Sequence, residues 1–314
     1  MILDAWAIGL LVLVLALIGV GVWLYLKAKR ALPHAQAIET VDVLIPDSRF
    51  VEFDGTRIHY VQAGDGPDIV LLHGIGASVF VWRFLFPLLQ TRFRVTAFDI
   101  PGFGQSSKDA RRDYGLDAQS QVLARAMTEI GIDKPILVGS SMGGAISLWM
   151  SKLFPERFPR VIALAPATES SMIPAHVRHF ALATPLLRRA LNRRTMKQLV
   201  SRVVARQSLV TDDVVEAYLK PFMNDQGLGV RAFWSATSLL ADRRLPSALA
   251  GIGTRVLIIH GTRDLMVSRR SIHRLVGLLP NATLLIHADG GHHIMEDEPA
   301  WTARTLLEFI KSTQ

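Results

Sequence analysis

The stretch Gly139-Ser140-Ser141-Met142-Gly143 follows a short apolar run, Ile136 to Val138, and opens a helical pattern that continues to Leu153. This order predicts a strand, a sharp turn and a helix. A serine on such a turn holds its hydroxyl clear of the sheet, and glycines on both sides of it let strand and helix approach closely. The start of the helix would direct backbone N–H groups at developing negative charge. Alone, the pattern also fits an ordinary strand-to-helix turn, because Gly and Ser are common residues.

Length and composition limit the domain organisation and the kinds of site that the chain can have. Its 314 residues are 50% hydrophobic and 20% charged, with a formal net charge of +8. This length allows one large domain, or one domain with an inserted subdomain. The chain contains no cysteine, which excludes disulfides, thiolate catalysis and cysteine-ligated metal sites.

The segment from Ala5 to Leu26 carries no charged side chain and has aromatic residues near both ends. A helix of that length spans roughly 33 Å, enough for the hydrocarbon core of a bilayer. We therefore expect a membrane anchor over residues 1–30, followed by a linker over residues 31–48.

The charges around this segment predict its orientation. Asp4 precedes it, and Lys27, Lys29 and Arg30 follow it directly. By the positive-inside rule the rest of the chain should lie on the cytoplasmic side of a single-pass protein. A cleaved signal peptide is the alternative, since Ala35-Gln36-Ala37 resembles a cleavage site, but a basic leading region is missing and the apolar run is too long.

Strand-like and helix-like stretches alternate over residues 49–167 and again over residues 251–314. Helix-length connections between consecutive strands predict parallel pairing with right-handed crossovers. Near the start, Asp54-Gly55 predicts a hairpin turn. Residues 168–250 interrupt this alternation with amphipathic helical stretches, which predicts a helical cap inserted between two parts of one core.

The cap has a basic side and an apolar side. The segment from Arg188 to Arg206 contains seven Lys or Arg residues and no acid. This pattern fits a solvated helix face or contact with anionic lipid headgroups. No nucleic-acid motif accompanies these bases, so we do not expect nucleic-acid binding. The apolar side could line an acyl pocket or form the cap's own core, and the candidate substrate-binding residues are Phe180, Phe222, Met223, Phe233 and Trp234.

Three side chains that together could carry out nucleophilic catalysis occur in the order Ser141, Asp264, His292. Each lies just past the end of a predicted strand. Parallel sheets place their ligands at that edge. A serine hydroxyl needs a histidine to take its proton and return it to the leaving group. A carboxylate must in turn hold the imidazole in the correct tautomer. These residues are therefore the predicted catalytic set.

Two members of this set have rivals. Asp289 and Glu169 could replace Asp264, although Asp289 is more typical of a loop brace and Glu169 lies several residues beyond its strand. His293 could replace His292, but the spacing to Pro299 favours His292. A metal site formed by His292, His293, Glu296 and Asp297 is disfavoured, because adjacent histidines point in divergent directions.

A glycine-bearing loop, His73-Gly74-Ile75-Gly76, directly follows another predicted strand. Such a loop can present backbone N–H groups to a ligand. We predict an oxyanion hole formed by the backbone N–H groups of Ile75 and Met142, with His73 as a structural residue. Asp99, which precedes the serine, is interpreted as a carboxylate that braces its loop.

Taken together, these pieces resemble the serine-nucleophile α/β-hydrolase family over roughly residues 49–312. The matching stretches are His73-Gly74-Ile75-Gly76, Asp99-Ile100-Pro101-Gly102-Phe103-Gly104, Gly139-Ser140-Ser141-Met142-Gly143-Gly144, Gly261-Thr262-Arg263-Asp264 and Gly291-His292. The resemblance implies an eight-stranded, mostly parallel sheet with helices on both faces. With its anchor, the chain is similar to membrane-bound monoacylglycerol lipases and bacterial esterases, which implies ester hydrolysis through an acyl-enzyme with no cofactor.

Other branches of the family fit less well. Dehalogenases and epoxide hydrolases carry an acid at the position of Ser141. Carbon–carbon bond hydrolases often have Asn before the serine and Trp after the histidine, where this chain has Ser140 and His293. The sequence therefore predicts a membrane-anchored serine hydrolase of esters with apolar acyl chains. A carbon–carbon bond or lactone hydrolase, and an inactive binding protein of the same fold, are the alternatives.

Overall fold

A computed structural model of the chain describes residues 47–109, 112–169, 190–223, 228–240 and 245–312. The predicted anchor, nearly all of the linker, Phe180 and the side chain of Trp234 lie outside this description. Within the described ranges, no helix combines the length and apolar character needed to cross a bilayer.

Eight strands form one sheet in the spatial order β1-β2-β4-β3-β5-β6-β7-β8. The pairs β1–β2 and β2–β4 are antiparallel, and all other neighbours are parallel. The eight-stranded, mostly parallel sheet predicted from the sequence is therefore confirmed. The strands are β1 (Arg49–Phe53), β2 (Thr56–Ala63), β3 (Asp68–Leu72), β4 (Arg94–Phe98), β5 (Ile136–Ser140), β6 (Arg160–Leu164), β7 (Arg255–Gly261) and β8 (Ala282–His287).

In the described ranges, four α-helices lie singly between consecutive strands, four lie together between β6 and β7, and two follow β8. They are α1 (Phe86–Leu89), α2 (Leu116–Glu129), α3 (Met142–Leu153), α4 (Arg193–Val203), α5 (Asp212–Met223), α6 (Leu228–Leu240), α7 (Leu245–Ala248), α8 (Arg269–Leu278), α9 (Ile294–Asp297) and α10 (Pro299–Lys311). The described ranges also contain two short 3₁₀ turns, Val79–Trp82 between β3 and α1 and Gln207–Leu209 between α4 and α5.

The first hairpin turns at Asp54 and Gly55, both of which have positive φ, at 46° and 68°. A two-residue turn with positive φ at both positions matches the right-handed twist of the flanking strands, which is why Asp-Gly favours it. The hairpin adds β1 to the edge of the sheet and leaves the parallel strands at the centre.

Both faces of the sheet are covered, so its central strands are continuous apolar runs. In β3, Val70 and Leu72 point into one core, which also contains Leu123 of α2 and Ile146 of α3. Their neighbour Leu71 points into the core on the opposite face. This second core includes Trp82, Leu306 and Phe309. The alternation follows from the two-residue period of a strand.

Helices α4 to α7 lie between β6 and β7, and the described residues of this region contain no strand. We call α4 to α7 and their connections the cap helices. The apolar sides of α4 and α5 pack into the second core, through residues such as Val200, Leu219 and Phe222. This packing brings the cap helices to the edge of the sheet where the loops after β3, β5, β7 and β8 lie.

Candidate active site

Ser141 lies on a strained turn between β5 and α3, with φ 52° and ψ −114°. Residues other than glycine rarely adopt such backbone angles. A strained conformation of this kind persists only where the surrounding structure enforces it. The flanking glycines permit the turn. A Cβ atom on Gly139 would lie closer than 3.0 Å to the Gly143 carbonyl, and one on Gly143 closer than 3.0 Å to the Leu72 carbonyl.

The main chain around Ser141 is held by hydrogen bonds to the neighbouring strand. Its N–H donates to the Leu164 carbonyl at 2.9 Å. Its own carbonyl accepts from the N–H groups of Ala145 and Ala167, both at 3.1 Å. A backbone strain of about 1–3 kcal/mol is typical of such a residue, and these bonds offset it.

The glycine-bearing loop after β3 lies directly beside Ser141. A Cβ atom on Gly74 would be 3.2 Å from Ser141 Cβ and 3.8 Å from its Oγ. Ile75 is the next residue of this loop, and Met142 is the first residue of α3, whose N–H has no partner within the helix. The two predicted oxyanion donors therefore belong to the loop beside the serine and to the helix that directly follows it.

His73 supports this loop from within the protein. Its Nδ1 lies 2.7 Å from the Gly74 carbonyl, and its Nε2 accepts the N–H of Ile100 at 3.0 Å. Because the ring is fully buried, desolvation lowers the pKa of His73 and favours the neutral imidazole that these contacts need. This geometry is the one expected of a structural residue.

Asp99 also braces loops. One oxygen accepts the N–H of Val79 at 2.7 Å, and the other accepts the N–H of Gln105 at 2.7 Å and faces Nδ1 of His59 at 2.7 Å. Burial alone would raise the pKa of Asp99, but the hydrogen bond from His59, the electrostatic interactions with the two neighbouring imidazoles and the N–H of Gln105 outweigh it. The pKa is therefore lowered, and the carboxylate is ionised.

Asp264 and His292 meet at the same edge of the sheet, after β7 and β8. Oδ2 of Asp264 lies 2.9 Å from Nδ1 of His292, and both side chains are buried. The other oxygen accepts the N–H groups of Met266 at 2.7 Å and Val267 at 2.9 Å. Burial would raise the pKa of Asp264, but the electrostatic interaction with His292, hydrogen bonds from His260 and His292 and the N–H of Val267 lower it far below its ordinary value.

A second histidine, His260 at the end of β7, approaches the same carboxylate. Its Nε2 lies 3.1 Å from the Val267 carbonyl and 3.5 Å from Oδ2 of Asp264. No catalytic motif marks this residue, because within β7 it looks like any other strand position. Its spacing of four residues before Asp264 is the only signal in the sequence.

The rival residues have other partners. Glu169 accepts a hydrogen bond from Ser271 Oγ at 2.8 Å and pairs with Arg274 at 3.1 Å, both on α8. Asp289 forms an exposed ion pair with Arg263. The carboxylate at Nδ1 of His292 is that of Asp264, as the predicted set requires.

His293 belongs to a buried polar cluster that no sequence pattern indicates. Its Nδ1 lies 2.7 Å from Oε2 of Glu296. Tyr218 of the cap helices donates its hydroxyl to the same oxygen at 2.6 Å. Arg83 forms an ion pair with the other oxygen of Glu296. We call Arg83, Tyr218, His293 and Glu296 the buried cluster.

Two of the candidate substrate-binding residues lie against the glycine-bearing loop. Phe222 and Phe233 contact each other edge to face, with ring centroids 6.5 Å apart. A Cβ atom on Gly76 would lie 3.0 Å from the ring of Phe233 and 3.6 Å from that of Phe222. Met223, by contrast, is 48% exposed, so the structure does not place it with these rings.

The four residues considered for a metal site serve other contacts. His292 faces Asp264, His293 faces Glu296, and Asp297 accepts main-chain N–H groups. Across the described ranges, no group of three or more His, Asp or Glu residues is arranged to hold a metal ion.

An open sheet with a strained serine turn at its centre and a histidine–carboxylate pair at the same edge is the arrangement of α/β-hydrolases. Comparison with known proteins agrees with this class, since the α/β-hydrolase fold family matches residues 67–299. The chain belongs to the α/β-hydrolase fold family.

Among known relatives, the uncharacterized hydrolase YugF of Bacillus subtilis is 27% identical over 86% of this chain and its own full length. The solved structure of Cfl2 from Burkholderia cenocepacia is 28% identical, with a TM-score of 0.75 over 87% of this chain and 98% of that one. The 2-hydroxy-6-oxo-6-phenylhexa-2,4-dienoate hydrolase of Rhodococcus sp. strain RHA1 is 25% identical, with a TM-score of 0.69 over 85% and 100%.

Proposed function

We propose that this protein is a serine hydrolase that cleaves carboxylic esters with apolar acyl chains, in the manner of a monoacylglycerol lipase. The observation that carries the proposal is the joint placement of strained Ser141 beside the Gly74 loop and of His292 on the buried carboxylate of Asp264. A binding protein would have no chemical need for this combination.

The reaction follows from the roles these groups can fill. Ser141 Oγ attacks the ester carbonyl carbon while Nε2 of His292 takes its proton. The negative charge that develops on the carbonyl oxygen is met by the N–H groups of Met142 and Ile75, and one such donor can contribute about 3–4 kcal/mol. Asp264 keeps Nδ1 of His292 protonated and stabilises the imidazolium.

The histidine then gives its proton to the departing alcohol, and the acyl group remains on Ser141. Water attacks this acyl-enzyme with His292 again as base, which releases the carboxylic acid and restores the serine. These residues supply every proton transfer in the cycle, so we propose that it runs without a cofactor.

The acyl chain is proposed to lie near Phe222 and Phe233, whose rings pack against Gly76 of the glycine-bearing loop. Apolar side chains so close to the predicted oxyanion site favour an apolar acyl group over a charged one. This argument supports esters with fatty acyl chains as substrates.

We further propose that residues 1–30 anchor the protein in a membrane, with its catalytic part on the cytoplasmic side, and that the basic cap faces anionic lipid. On α4, however, Arg193 pairs with Glu216 and Lys197 pairs with Asp212 of α5. These pairs neutralise two of the bases, so lipid contact would depend more on their basic neighbours, such as Arg194.

A carbon–carbon bond hydrolase is the second candidate, favoured by the likeness to the Rhodococcus dienoate hydrolase. Both reactions would use the same serine and histidine, and they differ in the bond that is broken.

A substrate panel separates these candidates. Detergent-solubilised full-length protein would be assayed on short aryl esters, monoacylglycerols of several chain lengths, triacylglycerols and a ring-cleavage dienoate, with Ser141→Ala as the control. We expect serine-dependent hydrolysis that favours long monoacylglycerols. Turnover of the dienoate alone would support the carbon–carbon hydrolase. Failure to hydrolyse any substrate, together with failure of a fluorophosphonate to label Ser141, would indicate a binding protein.

A further inference from the structure

The loop that carries His292 is bonded to the cap helices through its own main chain and through Asp297. The N–H of His293 donates to the Val203 carbonyl, at the end of α4, at 2.8 Å. Asp297 accepts the N–H groups of Ala205 at 3.0 Å and Arg206 at 2.9 Å, directly after α4. The cap is therefore hydrogen-bonded to two residues that follow His292 in the chain.

Asp297 also reaches back to the residue before the histidine. The oxygen that accepts from Ala205 accepts the N–H of Gly291 at 2.8 Å. One buried carboxylate thus joins the cap main chain to the main chain that positions His292. The two segments are in close contact, since a Cβ atom on Gly291 would lie 2.6 Å from the Ala205 nitrogen.

A second connection runs through side chains. The ring of Tyr218 in α5 stacks on the ring of His293, with centroids 6.2 Å apart, and His293 stacks on His292 at 5.5 Å. Glu296 holds Tyr218 and His293 together, because one of its oxygens faces both the hydroxyl and Nδ1. The cap thereby supports one face of the ring that is proposed to act as general base.

We propose that Asp297 and Tyr218 are positioning residues through which the docked cap holds His292 in place beside Asp264. This inference rests on the proposed function, since it assigns His292 the role of base. The docked cap then has a second role besides lining the pocket, because it holds the base in position. When the cap is not docked, the base is misplaced. Ester cleavage is therefore coupled to docking of the cap.

The test compares Asp297→Asn and Tyr218→Phe with two matched controls in full-length, detergent-solubilised protein. Asp289→Asn makes the same chemical change within the loop that carries His292 but affects only an exposed ion pair with Arg263. Tyr114→Phe removes a hydroxyl that bonds the main chain of Asp109. Misplacement of a catalytic group by about 1 Å can cost 100-fold in rate, so we expect kcat to fall about 10- to 100-fold in Asp297→Asn and less in Tyr218→Phe. KM and the two controls should change little.

A second readout does not depend on turnover. Diethyl pyrocarbonate modifies accessible imidazoles, and His292 is only 4% exposed. Its modification rate, measured by mass spectrometry relative to exposed His273 on α8, should rise several-fold in Asp297→Asn and Tyr218→Phe but not in the controls. Modification rates equal to those of the controls would overturn the inference, as would a change confined to KM. Because this readout needs no substrate, it remains decisive if no ester is hydrolysed and the proposed function fails.

Discussion

Oδ2 of Asp264 lies 2.9 Å from Nδ1 of His292, while the other oxygen of the same carboxylate accepts two main-chain N–H groups. Hydrogen bonds within its own loop therefore hold the Asp264 carboxylate in position independently of its contact with His292. A carboxylate held in this way directs the protonated Nδ1 toward itself and leaves Nε2 free to act as a base.

The first prediction follows from this arrangement. Asp264→Asn keeps the size of the side chain, but an amide cannot hold the same tautomer of His292. We expect kcat for ester hydrolysis to fall by about 10⁴-fold with a small change in KM, measured by steady-state kinetics. Glu169→Gln, at the rival acid, should keep kcat within a few-fold of the parent. A large loss in Glu169→Gln with little loss in Asp264→Asn would transfer the role to Glu169.

The second prediction concerns the serine turn. In Gly143→Ala the new methyl would lie closer than 3.0 Å to the Leu72 carbonyl, so α3 must move away from β3. Overpacking of this kind costs about 1–3 kcal/mol, and sometimes more, and we expect a loss of that size in the free energy of unfolding measured in urea. Labelling of Ser141 by a fluorophosphonate should also become slower.

Gly277→Ala is the matched control for that variant. Gly277 lies in α8, and its added methyl would have no heavy atom within 4 Å. Since alanine is favoured over glycine within a helix by about 1 kcal/mol, this variant should be as stable as the parent or more stable. Equal destabilisation by both substitutions would show that the close packing of the turn is not what requires glycine.

Much of the site could be predicted because its signals are local. A serine between two glycines after an apolar run defines the turn, and the order of Ser141, Asp264 and His292 follows the order of the strands. The Asp54-Gly55 hairpin is likewise encoded in adjacent residues, because positive φ is required at both.

The buried cluster could not be predicted, because its members are distant along the chain. Arg83 and Glu296 are 213 positions apart, and neither carries a pattern that marks it as buried. Met223 illustrates a different limit. The apolar character of Met223 and Phe222 predicts that both line the substrate site. Adjacent residues of a helix point about 100° apart, however, so Phe222 is buried while Met223 is exposed.

The third prediction tests the buried cluster through pH. Burial would raise the pKa of Glu296, but Arg83, His293 and Tyr218 outweigh it and lower the pKa from 4.5 to about 2. An acid with a lowered pKa in the folded state adds stability that is present above its unfolded pKa and is lost as pH falls through the folded value. The contribution of Glu296 should therefore disappear between about pH 4.5 and pH 2.

Glu296→Gln leaves the guanidinium of Arg83 buried without its counter-ion, which typically costs about 3–5 kcal/mol at neutral pH. The difference in unfolding free energy between parent and variant, measured in urea at several pH values, should shrink as pH falls through that window. Glu308→Gln, at an exposed position of α10, should stay within about 0.5 kcal/mol of the parent throughout. A pH-independent difference for Glu296→Gln would contradict an ionised Glu296.

The fourth prediction concerns acyl-chain length. Phe233 packs edge to face on Phe222, and both rings lie against Gly76 of the glycine-bearing loop after β3. Phe233→Ala removes one of these rings and opens apolar space beside the predicted oxyanion site. We expect kcat/KM for p-nitrophenyl esters from acetyl to dodecanoyl to shift toward longer chains, by up to roughly fourfold for each methylene newly buried.

Met223→Ala provides the control, because it shortens another apolar residue of the cap helices, one that is 48% exposed at the end of α5. It should leave the chain-length profile of the parent unchanged. If the acyl chain instead lies elsewhere, Phe233→Ala will lower kcat/KM equally for all chain lengths, and the assignment of Phe222 and Phe233 to the acyl site is wrong. A chain-length profile that shifts in Met223→Ala but not in Phe233→Ala would place the acyl chain on the outer side of α5. A substrate could then bind without passing between the cap helices and the glycine-bearing loop.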